Sequence, residues 1–319
     1  MLRLLIAATA LIMFLPSSSY GAGVRQKNIN KQNYSSLNDL LASNGFRTTF
    51  TKTSATGSKK GSYCFFQKYH RTITCGNTKL ELLMPTVFEN THPWILTLDW
   101  FKTLRPVLYP ATVPRSKVRA ITVDMGHGGN DPGAIGAISK EKMITLKVGR
   151  KVAEILRAYG FTVHCTRNSD VQIPLNSVAQ LQKKHKSDLF VSIHVNSAKN
   201  KTISGLETFC LTPAGAASSN GGKVSWTAHP GNRQDAANML LAWNIHRQLL
   251  SRTGAVDRGV KRARFAVLKD ITVPGVLVEI GFISNRAEER KLNDPKYIEK
   301  IARGIAEGIA AFTRSTKAR

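Results

Sequence analysis

The chain has 319 residues, 42% of them apolar, which sets aside a disordered or fibrous chain and leaves room for one large domain or two modest ones. Lys and Arg number 46 against 20 Asp and Glu, a formal charge of +26. Such a surplus favours polyanions and anionic surfaces and opposes self-association, without naming the polyanion.

Residues 1–22 carry Arg3, an apolar run from Leu4 to Leu15, Pro16, several serines and the small residues Gly21 and Ala22. This is the pattern of a secretory signal peptide; an apolar run of about 12 is short for a stable membrane span, and an uncleaved anchor is the alternative. No second long apolar stretch follows. The expected location is therefore periplasmic or otherwise exported to the cell envelope, where nucleic acid is not an expected partner despite the charge. Four cysteines, Cys64, Cys75, Cys165 and Cys210, are an even number in an exported chain, and none has metal-site spacing. Cys64 with Cys75 and Cys165 with Cys210 is one of three pairings, and the choice stays open.

Residues 23–115 read as a small β-rich α+β module. Leu37, Leu40 and Leu41 mark a short helix. Arg47 to Thr53, Tyr63 to Tyr69, Thr72 to Thr74, Lys79 to Leu83 and Val87 to Phe88 alternate like strands, and Pro93 to Phe101 predicts a helix. Between Gly23 and Lys117 there are 14 basic and 4 acidic residues and no catalytic constellation. His70 and His92 read as ordinary structural or surface residues. Wall binding is a role open to this module, and Pro106, Pro110 and Pro114 mark the linker that leaves it.

Residues 116–319 alternate strands and helices, which indicates one α/β domain with a mostly parallel sheet flanked by helices and a short basic tail. Strands are predicted over Arg119 to Met125, Phe161 to Thr166, Asp188 to Val195, Leu206 to Leu211, Phe265 to Leu268 and Pro274 to Phe282. Helices are predicted over Glu141 to Tyr159, Leu175 to Lys186, Gln234 to Arg252, Arg286 to Leu292 and Pro295 to Phe312.

The first of these strands runs into Gly126-His127-Gly128-Gly129-Asn130-Asp131-Pro132-Gly133. Glycines here allow backbone shapes that residues with a Cβ resist, so His127 stands on a bare turn at a strand's end, the usual place for chemistry in such sheets. A dinucleotide fingerprint from Gly126 would need glycine at Asp131, and no Gly-Lys-Ser/Thr loop occurs, so a nucleotide site is not indicated. Glu141 opens the helix that follows, and His194 lies near the end of a buried strand. Two histidines and a carboxylate form a catalytic zinc set because three protein ligands leave a fourth position for water. Glu279 interrupts the apolar strand Val276 to Phe282; a buried carboxylate there is costly unless it is paired, metal-bound or used, and near the metal it would be the general base.

From Ile121 to Phe312 the chain resembles the zinc-dependent N-acetylmuramoyl-L-alanine amidases of bacterial cell-wall turnover and division. The resemblance is carried by Asp124 to Gly129, Asp131 to Ala134, Glu141-Lys142, Thr166-Arg167 with Asp170, Ser192 to His194, Gly205 with Glu207, and Val278-Glu279 with Gly281-Phe282 and Ser284-Asn285. It implies His127, Glu141 and His194 as ligands of one zinc ion and Glu279 as the catalytic residue. The implied reaction is hydrolysis of the amide between the lactyl group of N-acetylmuramic acid and the first L-alanine of the peptidoglycan stem peptide, in wall remodelling or daughter-cell separation. Peptidoglycan is the implied substrate, anionic envelope polymers suit the charge, and the family reading admits a protein activator.

Two departures stand out. Met125 occupies a position where the family usually has proline, and the second helix carries Val178 and Lys183-Lys184-His185-Lys186 in place of the usual substrate-side residues. Some division amidases also carry an inhibitory helix in the interval that here spans Pro213 to Arg233; its Gly and Ser content predicts no helix and a more open cleft. The basic run Arg258, Lys261, Arg262 and Arg264 reads as a solvated face or as a holder of substrate carboxylates. His229 could reach substrate, whereas His164, His185 and His246 read as structural. A wall-binding protein without turnover, or a zinc peptidase acting within the stem peptide, are the alternative functions.

Overall fold

A computed structural model describes residues 23–114 and 117–316, so the expected signal peptide and the junction at 115–116 lie outside the described residues. Strands β1 (Gln26–Ile29) and β2 (Gln32–Ser36) form a hairpin, and the Ser36 hydroxyl caps helix α1 (Leu37–Ala42) by accepting the Asp39 amide at 3.2 Å. Leu37, Leu40 and Leu41 bury the inner face of α1, as their spacing requires. An antiparallel meander follows: β3 (Arg47–Phe50), β4 (Ser54–Lys59), β5 (Ser62–Gln67), β6 (Thr72–Cys75) and β7 (Thr78–Glu81). Strands β8 (Val87–Glu89) and β9 (His92–Leu96) then close a four-stranded sheet in the order β1-β2-β9-β8.

The helix expected over 93–101 begins later, because Trp94, Ile95 and Leu96 pair with β2. A short apolar run buried in a sheet has no periodicity that separates it from a buried helix. Helical structure starts with α2 (Thr97–Asp99), passes through a π-helical turn at Trp100–Leu104 and ends with α3 (Arg105–Leu108). Asp99 anchors the segment by accepting the amides of Leu83 at 2.8 Å and Met84 at 3.2 Å.

Beyond residue 117 come β10 (Ala120–Met125), α4 (Glu141–Ala158), β11 (Thr162–Cys165), α5 (Leu175–Lys184), β12 (Leu189–Asn196) and β13 (Leu206–Leu211). These are followed by α6 (Asp235–Thr253), β14 (Asp257–Ala263), α7 (Ala266–Lys269), β15 (Gly275–Phe282), α8 (Arg286–Asn293) and α9 (Pro295–Ser315). Strands β11, β10, β12 and β15 are parallel neighbours, β13 pairs antiparallel to β15, and β14 pairs parallel to β13. The meander joins at β7, where Leu80 lies opposite Val260 of β14 and the Lys79 amide donates to the Asp257 carboxylate at 2.8 Å. The expected parallel sheet is thus one end of an 11-stranded mixed sheet, β11-β10-β12-β15-β13-β14-β7-β6-β5-β4-β3.

Two local expectations are corrected. Ala266–Lys269 is a helical turn rather than a strand, and Arg258, Lys261 and Arg262 of the basic run before it lie on strand β14, with Arg264 just past its end. Arg262 is fully buried and donates to the carbonyls of Leu211 and Lys102, while Arg264 donates to the carbonyls of Pro213 and Ala216. Their charges suggest solvent, but their terminal guanidinium nitrogens turn to the protein's own backbone carbonyls. Between Pro213 and Arg233 the described residues contain no α-helix, and a 3-10 turn, Pro230–Gln234, begins near the end of the interval; the loop before it is held by Arg264, at the end of β13 away from Glu207.

Helices α6 and α9 pack closely because α9 carries Gly304 and Gly308 on one face. A Cβ at Gly304 would stand 2.9 Å from the Leu249 Cα, and one at Gly308 would fall on the backbone of Ile245. Alanine is the better helix former by about 1 kcal/mol, whereas overpacking costs about 1–3 kcal/mol. Gly308→Ala should therefore lower the denaturant midpoint; a raised midpoint would show that the two helices are not in backbone contact.

Candidate metal centre

Three sequence-predicted residues converge at the C-terminal ends of β10 and β12. Their donor atoms, from His127, Glu141 and His194, all lie within 4.8 Å of one another, the spacing that a single ion needs. Glu141 Oε1 is the focus: His127 Nε2 lies 3.3 Å and His194 Nδ1 3.0 Å from it, and the Val195 amide donates to it at 2.9 Å. Glu141 Oε2 accepts the Ala134 amide at 2.8 Å. The two imidazole rings stand 5.0 Å apart and nearly perpendicular.

Glycine makes this convergence feasible. A Cβ on Gly126 would stand 2.5 Å from His194 Nε2, and one on Gly133 2.6 Å from both Glu141 Oε2 and the His127 ring. His127 itself takes a left-handed backbone with φ 66°, uncommon for a residue with a side chain. It is held there by Asp131, whose Oδ2 meets His127 Nδ1 at 2.8 Å while its Oδ1 accepts the Gly133 amide at 3.0 Å. That leaves His127 Nε2 turned towards Glu141.

Several residues that carry the family resemblance prove to be struts of this loop. Asp170 accepts the Gly129 amide at 2.8 Å, and Lys142 bridges Asp170 and the Gly129 carbonyl, each at 2.7 Å. The buried Arg167 guanidinium donates to the Met125 carbonyl at 2.8 Å and to the Lys142 carbonyl at 2.7 Å. Below the turn, Asp124 accepts Thr166 at 2.9 Å and Ser192 at 2.6 Å, tying β10 to both neighbours. Met125, the departure from the family's proline, is buried against Gly149 of α4 and displaces no donor atom.

Glu279 lies on β15 in register with His194 on β12 and with Glu207 on β13. It is 8% exposed, and its Oε2 has no hydrogen-bond partner among the described residues. Burial raises its pKa to about 8, with the negative charges of Glu141 and Glu207 adding to the shift and the histidines opposing it. An orphaned buried carboxylate oxygen beside two imidazoles and a third acid is the environment that a cation satisfies. Glu207 is itself compensated by Arg258 at 3.0 Å, Lys261 at 2.8 Å and Asn196 at 2.9 Å. These two cations, read from sequence as solvated or substrate-holding, are engaged internally. His246 is buried between Thr208 and Asp257, each at 3.0 Å; His164 stacks on His185; and His229 starts a 3-10 turn, so none of them joins the cluster.

A mixed sheet thus carries a two-histidine, one-carboxylate cluster that could hold one metal ion, beside a buried glutamate with an unpartnered oxygen. Residues 121–311 match the family model of N-acetylmuramoyl-L-alanine amidase, and the chain belongs to that family. Among its relatives is N-acetylmuramoyl-L-alanine amidase AmiA of Escherichia coli, 33% identical over 61% of this chain and 76% of AmiA. Among solved structures, AmiC2 of Nostoc punctiforme is 29% identical with a TM-score of 0.53, covering 62% of this chain and 99% of that one. The CwlD amidase of Clostridioides difficile, solved in complex with the GerS lipoprotein, is 28% identical with a TM-score of 0.53, covering 61% and 98%.

The hydrogen bond to Glu141, reinforced by Asp131 and opposed by burial, raises the His127 pKa to about 9. For His194, burial works against the charged form, but the Glu141 hydrogen bond and nearby acids still leave its pKa raised. Ligating imidazoles must be neutral, so uptake of a divalent ion at pH 7 should release about one to two protons. Calorimetric titration in two buffers of different ionisation enthalpy counts them, and a count of zero would remove the histidines from the ligand set.

Proposed function

We propose that His127, Glu141 and His194 hold one zinc ion per chain and that Glu279 is the general base that hydrolyses the amide between the N-acetylmuramic acid lactyl group and the stem-peptide L-alanine. The observation that carries this reading is the unpartnered oxygen of Glu279 beside the three-ligand cluster. Two nitrogen donors and one carboxylate suit zinc and leave a coordination position free for water or substrate. Zinc bound there would polarise the scissile carbonyl and acidify the attacking water. Glu279 takes the proton from that water and delivers it to the departing amine nitrogen. Burial raises its proton affinity above that of an exposed carboxylate, and the charge of a cation bound beside it would bring that affinity back down, which leaves a base able to take up a proton and give it back. Asp131 fixes the orientation of His127, and the Gly126 to Gly133 turn keeps side chains out of the approach.

The same reading extends to the whole chain. Residues 1–22 act as an export signal, residues 23–115 form a module that contributes wall affinity, and residues 116–319 form the amidase domain. The site of action is the periplasm or another part of the envelope, in wall remodelling or daughter-cell separation, and no helix of the described residues is long and apolar enough to cross a membrane. The charge of +26 supplies attraction to anionic envelope polymers. An activating protein partner is in keeping with the CwlD complex with GerS.

Digestion of purified muropeptides tests the reaction. Release of lactyl-muramic sugar with an intact stem peptide is the expected result; a shortened peptide would mean a peptidase, and no product a binding protein. Glu279→Ala should abolish hydrolysis while metal analysis still finds about one zinc per chain, whereas His194→Ala should empty the site. Loss of zinc in the first variant, or its retention in the second, would reverse those two assignments. Asp131→Ala should weaken zinc affinity about 10–100-fold, the usual cost of removing a carboxylate that orients a ligating histidine. Competition with a chromogenic chelator measures this, and unchanged affinity would leave Asp131 no part in holding the ligand.

A further inference from the structure

We infer that Cys64 and Cys75 become an intrachain disulfide on export, while Cys165 and Cys210 remain thiols. Cys64 and Cys75 occupy directly opposed positions on antiparallel strands β5 and β6, with their sulphurs 2.6 Å apart. Opposed residues on such strands have Cα atoms about 4.5 or 5.5 Å apart, inside the roughly 4.4–6.8 Å window that a disulfide requires. Both side chains are buried, so the bond replaces a sulphur contact already present and displaces nothing else.

The strand order excludes the other pairings. Cys165 on β11 and Cys210 on β13 are separated by β10, β12 and β15, four strand spacings or about 19 Å, far beyond the reach of a disulfide. Cys75 and Cys210 are three spacings apart, about 14 Å, and Cys165 lies farther still from the meander. Each of the three two-bond pairings that the sequence leaves open therefore needs at least one impossible bond, and Cys64–Cys75 is the single bond within reach.

The oxidant is a disulfide: a dithiol–disulfide oxidase of the envelope, or oxidised glutathione in the test tube. One cysteine thiolate attacks a sulphur of the oxidant and expels a thiolate, giving a mixed disulfide. The second cysteine thiolate then attacks the sulphur of the first and expels the remaining oxidant thiolate. One S–S bond is made and one consumed; two electrons pass to the oxidant, and the two cysteine protons end on its thiols. The hydrogen bond to Cys64, together with burial, holds the Cys75 thiol well above its ordinary pKa in the folded hairpin. Exchange therefore belongs to the chain while β5 and β6 are still assembling.

The pairing rests on the strand register, and only the place of oxidation rests on the export reading. The experiment keeps them apart. Full-length protein from the envelope fraction, and cytoplasmically produced protein refolded with oxidised glutathione, are each denatured, alkylated without reduction and mapped by mass spectrometry. The expected result in both is a linked Cys64–Cys75 peptide, alkylated Cys165 and Cys210, and an intact mass lighter by two hydrogen atoms. Four alkylated cysteines in both samples overturn the pairing; a link in the refolded sample alone overturns oxidation on export and leaves the pairing standing. Reductant should lower the thermal midpoint of the oxidised protein and leave that of a Cys64→Ser/Cys75→Ser variant unmoved. A midpoint that is equally insensitive in both proteins would overturn any constraint by the bond.

Discussion

The carboxylate of Glu141 is the point on which the site is assembled. It is buried at the first turn of α4, and burying such a group is costly unless donors surround it. Four converge: the amides of Ala134 and Val195 and the rings of His127 and His194. Two of these come from the glycine turn and its neighbourhood and two from the end of β12. One side chain therefore fixes how a loop, a helix and a strand meet, and glycine at 126 and 133 is what lets the rings and the carboxylate come so close.

Support spreads outward from that carboxylate through the loop around it. Asp131 sets the His127 ring; Arg167 ties down carbonyls of the turn; Lys142 and Asp170 close its outer side. On the other flank Glu279 has no such partners among the described residues, although Glu207 beside it is compensated by Arg258 and Lys261. The contrast separates the two acids. Glu207 is neutralised where it stands, and Glu279 is left with an affinity for protons, or for a cation, that the protein itself does not satisfy.

Much of this was legible in the sequence because it is local. His127 among glycines, Glu141 at a helix start and Glu279 inside an apolar strand each announce themselves within a few residues, and family resemblance joins them across the chain. The hidden features are nonlocal. Asp131 looks like a turn residue until its partner across the loop is known. Strand β14 was obscured because Arg258, Lys261 and Arg262 suggest solvent, yet their partners lie on β13 and in the segment near Lys102. No periodicity could reveal that β7 would dock on β14, because that contact is one register pair and one amide-to-carboxylate bond between residues about 180 positions apart.

That docking bears on how the enzyme stays dispersed in its surroundings. A strand at the rim of a sheet offers unpaired amides and carbonyls to any passing chain, and proteins cover such rims or blunt them. Here β7 covers β14, and the sheet runs on through the meander to β3, whose four residues alternate exposed with half-buried side chains. Without β7 the β14 rim would be bare, so the strand pairing that joins the meander to the sheet also shields an edge open to templated association.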